Sequence, residues 1–299
     1  MTHAFTVDVE EHFQVHGFEA VVGRDEWARH ESRVGRNVER ILELCRAHDV
    51  RGTFFVLGWC AERAGSWLAE IQAAGHEIAS HGQAHELLYS QGPERFAADL
   101  RRSLEVLGEK TGGPILGYRA PSYSVTRRSL WAYDVLADQG IAYDSSVYPI
   151  ARRRYGIPDA PLSPYRVPVE GGGSVVEFPM TALPLGPWRL PAASGAYLRL
   201  LPPAVHHAAL RACERRGSPG IVNVHPWELD PGQPRVPAPA ASRFFHYTGL
   251  GRTARVLEGL FRAFRFAPLG GLLDAVPAVG SAPGIPAPAG GLRPATFAP

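Results

Sequence analysis

The sequence predicts an α/β fold built on a parallel sheet, either open or closed into a barrel. Three observations carry this. Short apolar runs alternate with amphipathic stretches along the chain. The runs have the length and make-up of buried strands. The polar residues able to do chemistry fall at the C-terminal ends of those runs, where barrels and open α/β sheets keep their sites.

The elements follow in order. Residues 4–9 form a strand. Residues 37–48 carry Val38, Ile41, Leu42, Leu44 and Cys45 at helical spacing. The segment 53–59, TFFVLGW, is β-branched and aromatic, hence strand. Residues 66–74 make a short helix that Gly75 ends, and 76–80 return to strand. Residues 94–110 form a long helix with Phe96, Leu100, Leu104 and Leu107 on one side. Strand at 115–119, helix at 128–139 and strand at 141–145 come next. Strand at 175–178, helix at 198–216, strand at 220–225 and helix at 251–264 complete the pattern. Segments 148–173 and 230–240 are rich in Pro and Gly and read as long surface loops. From 267 onward the chain is mostly Ala, Pro and Gly, with only Asp274 and Arg293 charged. One domain over 1–273 and a disordered tail over 274–299 are expected.

Composition bounds the function. The chain has 299 residues, 45% hydrophobic and 20% charged, as ordinary globular proteins do. Lys and Arg number 31 against 29 Asp and Glu, so net charge marks no nucleic-acid partner. The cluster Arg152-Arg153-Arg154 reads as a solvated loop or as a contact for an anionic substrate. Cys45, Cys60 and Cys213 are odd in number and set in apolar contexts, so reduced core thiols are expected. The opening MTHAFTVDVEEHF lacks a basic region followed by an apolar one, so no secretory signal is expected. No apolar run of about 18 residues occurs, so no membrane span is expected. A cytoplasmic, soluble protein follows as the expectation.

Four clusters could carry chemistry. Ser80-His81-Gly82-Gln83-Ala84-His85 follows a strand. Were it helical, both imidazoles would share a face and suit Zn or a similar metal. Two surface histidines in a loop is the other reading. In Thr6-Val7-Asp8-Val9-Glu10-Glu11 the pleat puts Thr6, Asp8 and Glu10 on one face. Two carboxylates there bind a cation and act as base, or the strand simply runs into solvent. In Gly117-Tyr118-Arg119-Ala120-Pro121-Ser122-Tyr123 the arginine suits a buried carboxylate, and Pro121 fixes the backbone so that an amide N–H can be aimed inward. A surface turn with a salt bridge is the alternative. Finally, an apolar strand ends in His225-Pro226-Trp227-Glu228. His225 could be a general acid and Trp227 a wall of an acyl pocket, or both are core residues.

These motifs, in this order on successive strands, resemble the polysaccharide deacetylases, the NodB-homology group of carbohydrate esterase family four. The resemblance spans about 4–273. It implies a distorted parallel (β/α) barrel and hydrolysis of N-acetyl groups on a polysaccharide or oligosaccharide. It also implies a divalent metal, Zn above all, with Co or Ni possible. By resemblance Asp8 is the general base and Arg119 steadies it. His81 and His85 bind the metal. Tyr123 gives a backbone N–H to the oxyanion, and His225 protonates the leaving amine. The family's second Asp falls on Val9 here. Some relatives have an Asp-x-Asp spacing, which Asp8-x-Glu10 fits, so Glu10 is the expected third ligand and Glu11 the fallback. The extra methylene of Glu10 would move the metal by up to about an ångström or demand another rotamer. Asp144 in Tyr143-Asp144-Ser145-Ser146 is the nearest match to the family's Asp-rich fourth motif and is expected to orient His225. HPWELDP and FFHYTGLGRT resemble a subgroup tied to exopolysaccharide (PEP-CTERM) loci, with a subgroup-specific region from about 150. Two other functions fit less of the pattern: an allantoinase-like cyclic amide hydrolase, and a catalytically silent glycan-binding or scaffold protein.

Overall fold

The computed structural model describes residues 1–277. The chain runs β1 (Thr2–Val9), α1 (Val34–Ala47), β2 (Thr53–Val56), α2 (Gly58–Glu62), α3 (Trp67–Ala73), β3 (Glu77–Ser80), α4 (Leu88–Gln91), α5 (Pro93–Thr111) and β4 (Gly117–Tyr118). It continues through α6 (Ala132–Asp138), β5 (Tyr143–Asp144), β6 (Tyr165–Pro168), β7 (Ser174–Glu177), β8 (Ala182–Leu185), β9 (Trp188–Pro191), α7 (Gly195–Leu200) and α8 (Pro203–Arg215). β10 (Ile221–Val224), α9 (Ala240–Tyr247), α10 (Thr253–Ala263) and β11 (Arg265–Ala267) close it.

The main sheet has the order β10-β1-β2-β3-β4-β5-β7-β6, with β11 also pairing β1. Every pair is parallel except β6 with β7. The expected fold class holds: a mostly parallel α/β sheet curled into part of a barrel. Strand pleating sorts β1 into two faces. Phe5, Val7 and Val9 join the layer with Val38 and Ile41 of α1 and Leu257 and Leu260 of α10. Ala4 packs on the other face with Phe55, Ala79 and Ile221. Thr6 and Asp8 continue that inner face toward the C-terminal end of the strand and are themselves buried.

Several expectations need correction. The strand expected over 53–59 stops at Val56, and α2 starts at Gly58, whose N–H donates to the Gly82 carbonyl at 2.8 Å. The helix expected over 198–216 is two helices, because Pro202 is extended and Pro203 opens α8. The loop expected over 148–173 contains β6. The hairpin of β8 and β9, and helices α2, α4 and α9, were not expected. The tail expected over 274–299 lies outside the described residues from 278 on. Before that, a 3-10 turn runs over Gly270–Ala275 and Val276 is buried. All three cysteines are free and buried. Among the described residues no helix is long and apolar enough to cross a membrane.

Candidate metal centre and catalytic cleft

Residues at the C-terminal ends of β1, β3 and β10 converge on one cleft of about 470 Å³. Glu10, His81 and His85 are all buried, and one ligand atom from each lies within 4.8 Å of the others. The His pair does not sit on a helix. Residues 81–87 form an irregular loop, with Gly82 and His85 both left-handed (φ 76° and 51°). Asp99 of α5 holds that loop by accepting the N–H groups of Gln83 and Ala84 at 2.8 and 3.1 Å. A Cβ on Gly82 would come within 2.9 Å of the Asp99 carboxylate, so glycine serves both the backbone angle and the close approach.

The donor set suits a divalent cation. His81 Nδ1 lies 2.9 Å from the Arg119 carbonyl, which fixes the tautomer and leaves Nε2 to face the cluster. Burial lowers the His81 pKa to about 4, so the ring is the neutral form that ligates metals. Glu10 Oε2 approaches His85 Nε2 to 2.7 Å yet has no hydrogen-bond partner among the described residues. Two ligand atoms this close, without hydrogen-bond geometry, suit a shared cation. Burial opposes the Glu10 charge, but the neighbouring His85 outweighs it and holds the pKa down at about 2. Glu10 Oε1 accepts the Trp227 indole N–H at 3.1 Å. Val9 points into the helix-side core. Glu11 is excluded as a ligand by its other duty: its carboxylate accepts from the N–H groups of Arg33 and Val34 and from Ser32 Oγ, at the start of α1.

Asp8 is bound on both oxygens. Arg119, fully buried, gives Nη1 to Asp8 Oδ1 at 2.8 Å, and Asn223 gives Nδ2 to Oδ2 at 2.9 Å. Arg119 Nη1 also reaches Thr6 Oγ1 and Asn223 Oδ1, while its other nitrogens bind Ser145. Burial opposes the Asp8 charge, yet Arg119 foremost, then His81 and His225, keep its pKa below the usual carboxylate range. Facing it across the cleft, His225 Nε2 lies 3.7 Å from Asp8 and 3.8 Å from Glu10.

His225 has a different orienting partner from the one expected. Its Nδ1 lies 2.7 Å from Glu228 Oε1, and its backbone N–H donates to the same oxygen at 3.0 Å. Glu228 is in turn held by Arg199 Nε at 2.5 Å. Burial works against the His225 charge, but Glu228, Glu10 and Asp8 outweigh it and raise the pKa to about 9. Asp144 is elsewhere. It binds Ser146 Oγ and stands beside Glu177 on the neighbouring strand.

Tyr123 is also not placed as expected. Pro121 opens a 3-10 turn over Pro121–Tyr123, and the turn directs the Tyr123 N–H to the Ala120 carbonyl at 3.1 Å. That amide is already satisfied, so it is not an oxyanion donor. The Tyr123 hydroxyl faces the cleft instead, accepting from Asn223 Nδ2 at 2.9 Å and pairing with Ser194 Oγ at 2.8 Å. Trp227 lines the cleft and stacks between His225 and His246, with centroids at 4.9 and 4.0 Å. Asn223, Glu228, Arg199, Asp99 and His246 were not singled out in the sequence. Only Glu228 left a trace there, three residues after His225 in His-Pro-Trp-Glu, the offset of a capping box.

Fold and site define a class: a curled, mostly parallel α/β sheet with a carboxylate–histidine cluster at the C-terminal strand ends. Residues 30–141 match the polysaccharide deacetylase family model, and residues 145–274 match that of a domain of unknown function, DUF3473. A peptidoglycan deacetylase of Helicobacter pylori is 27% identical over 110 residues, covering 37% of this chain and 36% of its own length. A peptidoglycan-N-acetylglucosamine deacetylase of Bacillus cereus is 24% identical over 118 residues, covering 36% and 43%. The chain thus spans less than half the length of these curated relatives. A polysaccharide deacetylase structure from Mycobacterium smegmatis shares the fold at TM-score 0.61 and 24% identity, covering 92% of this chain and 89% of that one. The Puue allantoinase structure does so at 0.57 and 17%, covering 91% and 89%. The deacetylase model and the curated relatives each match little more than a third of the chain, and the solved structures share its fold.

Proposed function

We propose that this chain is a divalent-metal-dependent hydrolase that removes N-acetyl groups from amino sugars of a polysaccharide, in exopolysaccharide biosynthesis. The observation that carries the reading is the three-sided arrangement in one cleft. Glu10, His81 and His85 form a buried ligand cluster, Asp8 is held ionised by Arg119, and His225 is oriented by Glu228. The curated relatives, both named as deacetylases, point to the same reaction.

Glu10, His81 and His85 would hold the ion. Two imidazoles and a carboxylate suit Zn, and also Co or Ni. Bound there, such an ion supplies polarisation of the amide carbonyl and a water of lowered pKa. The chain's own residues do the rest. Asp8 receives the proton of the attacking water. His225, aimed through Nδ1 by Glu228, delivers a proton from Nε2 to the departing amine. Acetate and a free amino sugar leave. Trp227 and the Tyr123 ring line a cleft rather than a closed chamber, which favours a glycan over a small cyclic amide.

The test is acetate release from N-acetylated glucosamine, galactosamine and mannosamine oligosaccharides, with and without chelator and with Zn, Co or Ni restored. Release that chelation abolishes and metal restores is expected. No release across the set, with the metal bound, sinks the reading.

A further inference from the structure

A second groove of about 390 Å³ opens beside the cleft, and its lining includes Arg127, Arg128, Arg152, Arg153 and Arg154. Among the described residues no carboxylate lines it. Asp159 pairs with Arg127 from outside the groove. Arg152 is held by the Tyr197 hydroxyl at 3.1 Å. Arg128, Arg152, Arg153 and Arg154 form no ion pair among the described residues, and all are exposed. The chain as a whole is nearly balanced, 31 basic against 29 acidic residues, so this concentration is local. Like charges crowded into one groove repel each other and focus a positive potential. Guanidinium groups match carboxylate and phosphate geometry in bidentate fashion.

The groove is continuous with the cleft. Tyr89, Arg154 and Tyr155 line both. A glycan whose N-acetylated sugar lies at Glu10, His81 and His85 can therefore extend past Tyr155 into the arginines.

We propose that this groove is a specificity subsite for acidic groups, carboxylate or phosphate, carried by the glycan on sugars next to the one deacetylated. The proposal rests on the glycan-deacetylase reading of the adjoining cleft. It makes the substrate an anionic polysaccharide rather than a neutral one.

The experiment compares equilibrium binding of four probes by calorimetry. Two are N-acetylated oligosaccharides, one bearing uronates and one bearing phosphates. The others are their neutral counterparts, carboxyl-reduced and dephosphorylated. The protein is the full chain and a triple variant, R128Q/R152Q/R153Q, at exposed positions that line the groove and not the cleft. At least one acidic probe is expected to bind about tenfold or more tightly than its neutral counterpart. Salt of about 0.5 M should erase the preference, since these charges are solvent-facing. The triple variant should lose it at all salt concentrations. In acetate release the variant should raise KM for the acidic probe and leave kcat and the neutral probe unchanged. Equal affinity within both pairs, no measurable binding of any probe, or a variant that keeps the preference overturns the subsite. Binding preference without acetate release overturns the deacetylase reading and leaves the subsite standing.

Discussion

Trp227 shows how one side chain can serve the site without touching a reacting atom. Its indole stacks between His225 and His246, and its single N–H donates to the ligand oxygen Glu10 Oε1. Phenylalanine would preserve most of the stacking and remove the donor. Partners of metal ligands commonly contribute about 10–100-fold in affinity. Trp227→Phe should weaken metal binding by that order with the fold intact, read by titration against a chelator of known affinity. Unchanged affinity would show that Glu10 is held by its other neighbours. His225→Ala should leave metal content unaltered and remove most of the acetate-release rate, about 10²–10⁴-fold for a lost general acid. Full activity in that variant ends the acid assignment. At this scale the sequence was partly legible. Pleat alternation placed Thr6, Asp8 and Glu10 together, because period two is fixed by geometry. The partner of Tyr123 was not legible, and that of His225 left only the His-x-x-Glu offset. Glu228 reaches back through a 3-10 turn, and the Tyr123 amide is consumed inside another, and such turns leave no periodicity to read.

Among the elements, α1 and α5 were readable from the spacing of Val38, Ile41, Phe96 and Leu100, and each anchors a part of the site. α5 carries Asp99, which pins the His81–His85 loop through two backbone N–H groups. Asp99→Ala leaves those donors without their acceptor. The expected cost is about 1–3 kcal/mol in denaturant unfolding, together with weaker metal binding. A variant that loses stability but keeps metal affinity would separate the loop's folding from its ligand role. α1 is capped by Glu11, reaching from the end of β1 to the N–H groups of Arg33 and Val34. Glu11→Ala should cost about 1 kcal/mol, as a lost cap does, with metal affinity retained. Loss of metal instead would return Glu11 to the ligand set. The one helix expected over 198–216 failed at Pro202 and Pro203. Apolar spacing ran through the break, and the prolines were the stronger signal.

Across the whole molecule, the segments matching two separate family models share one sheet. β10 and β11, from the segment matching DUF3473, both pair with β1. His225, Glu228, Trp227 and Arg199 of that segment complete a cleft whose Glu10, Asp8 and histidines precede it. A second seam lies where β5 meets β7, and there Asp144 stands directly opposite Glu177. Both are fully buried. Burial raises both pKa values. Glu177, pushed further by the adjacent Asp144 charge, lies well above the ordinary value. Glu177 accepts from the Val147 N–H and the Tyr133 hydroxyl, while Asp144 Oδ2 has no donor among the described residues. The folded pair therefore keeps a proton that the unfolded chain releases above about pH 4. Folded protein then binds more protons than unfolded, so stability falls as pH rises from that value through the raised folded pKa. Glu177→Gln supplies an amide donor for Asp144 and removes the need for the proton. Its carbonyl can still accept from Val147. The variant should flatten the decline and be more stable than wild type at about pH 8, by on the order of 1–2 kcal/mol. Urea unfolding at a series of pH values measures this, and curves for the two proteins that stay parallel from about pH 5 to 8 would show that no proton is held at the seam.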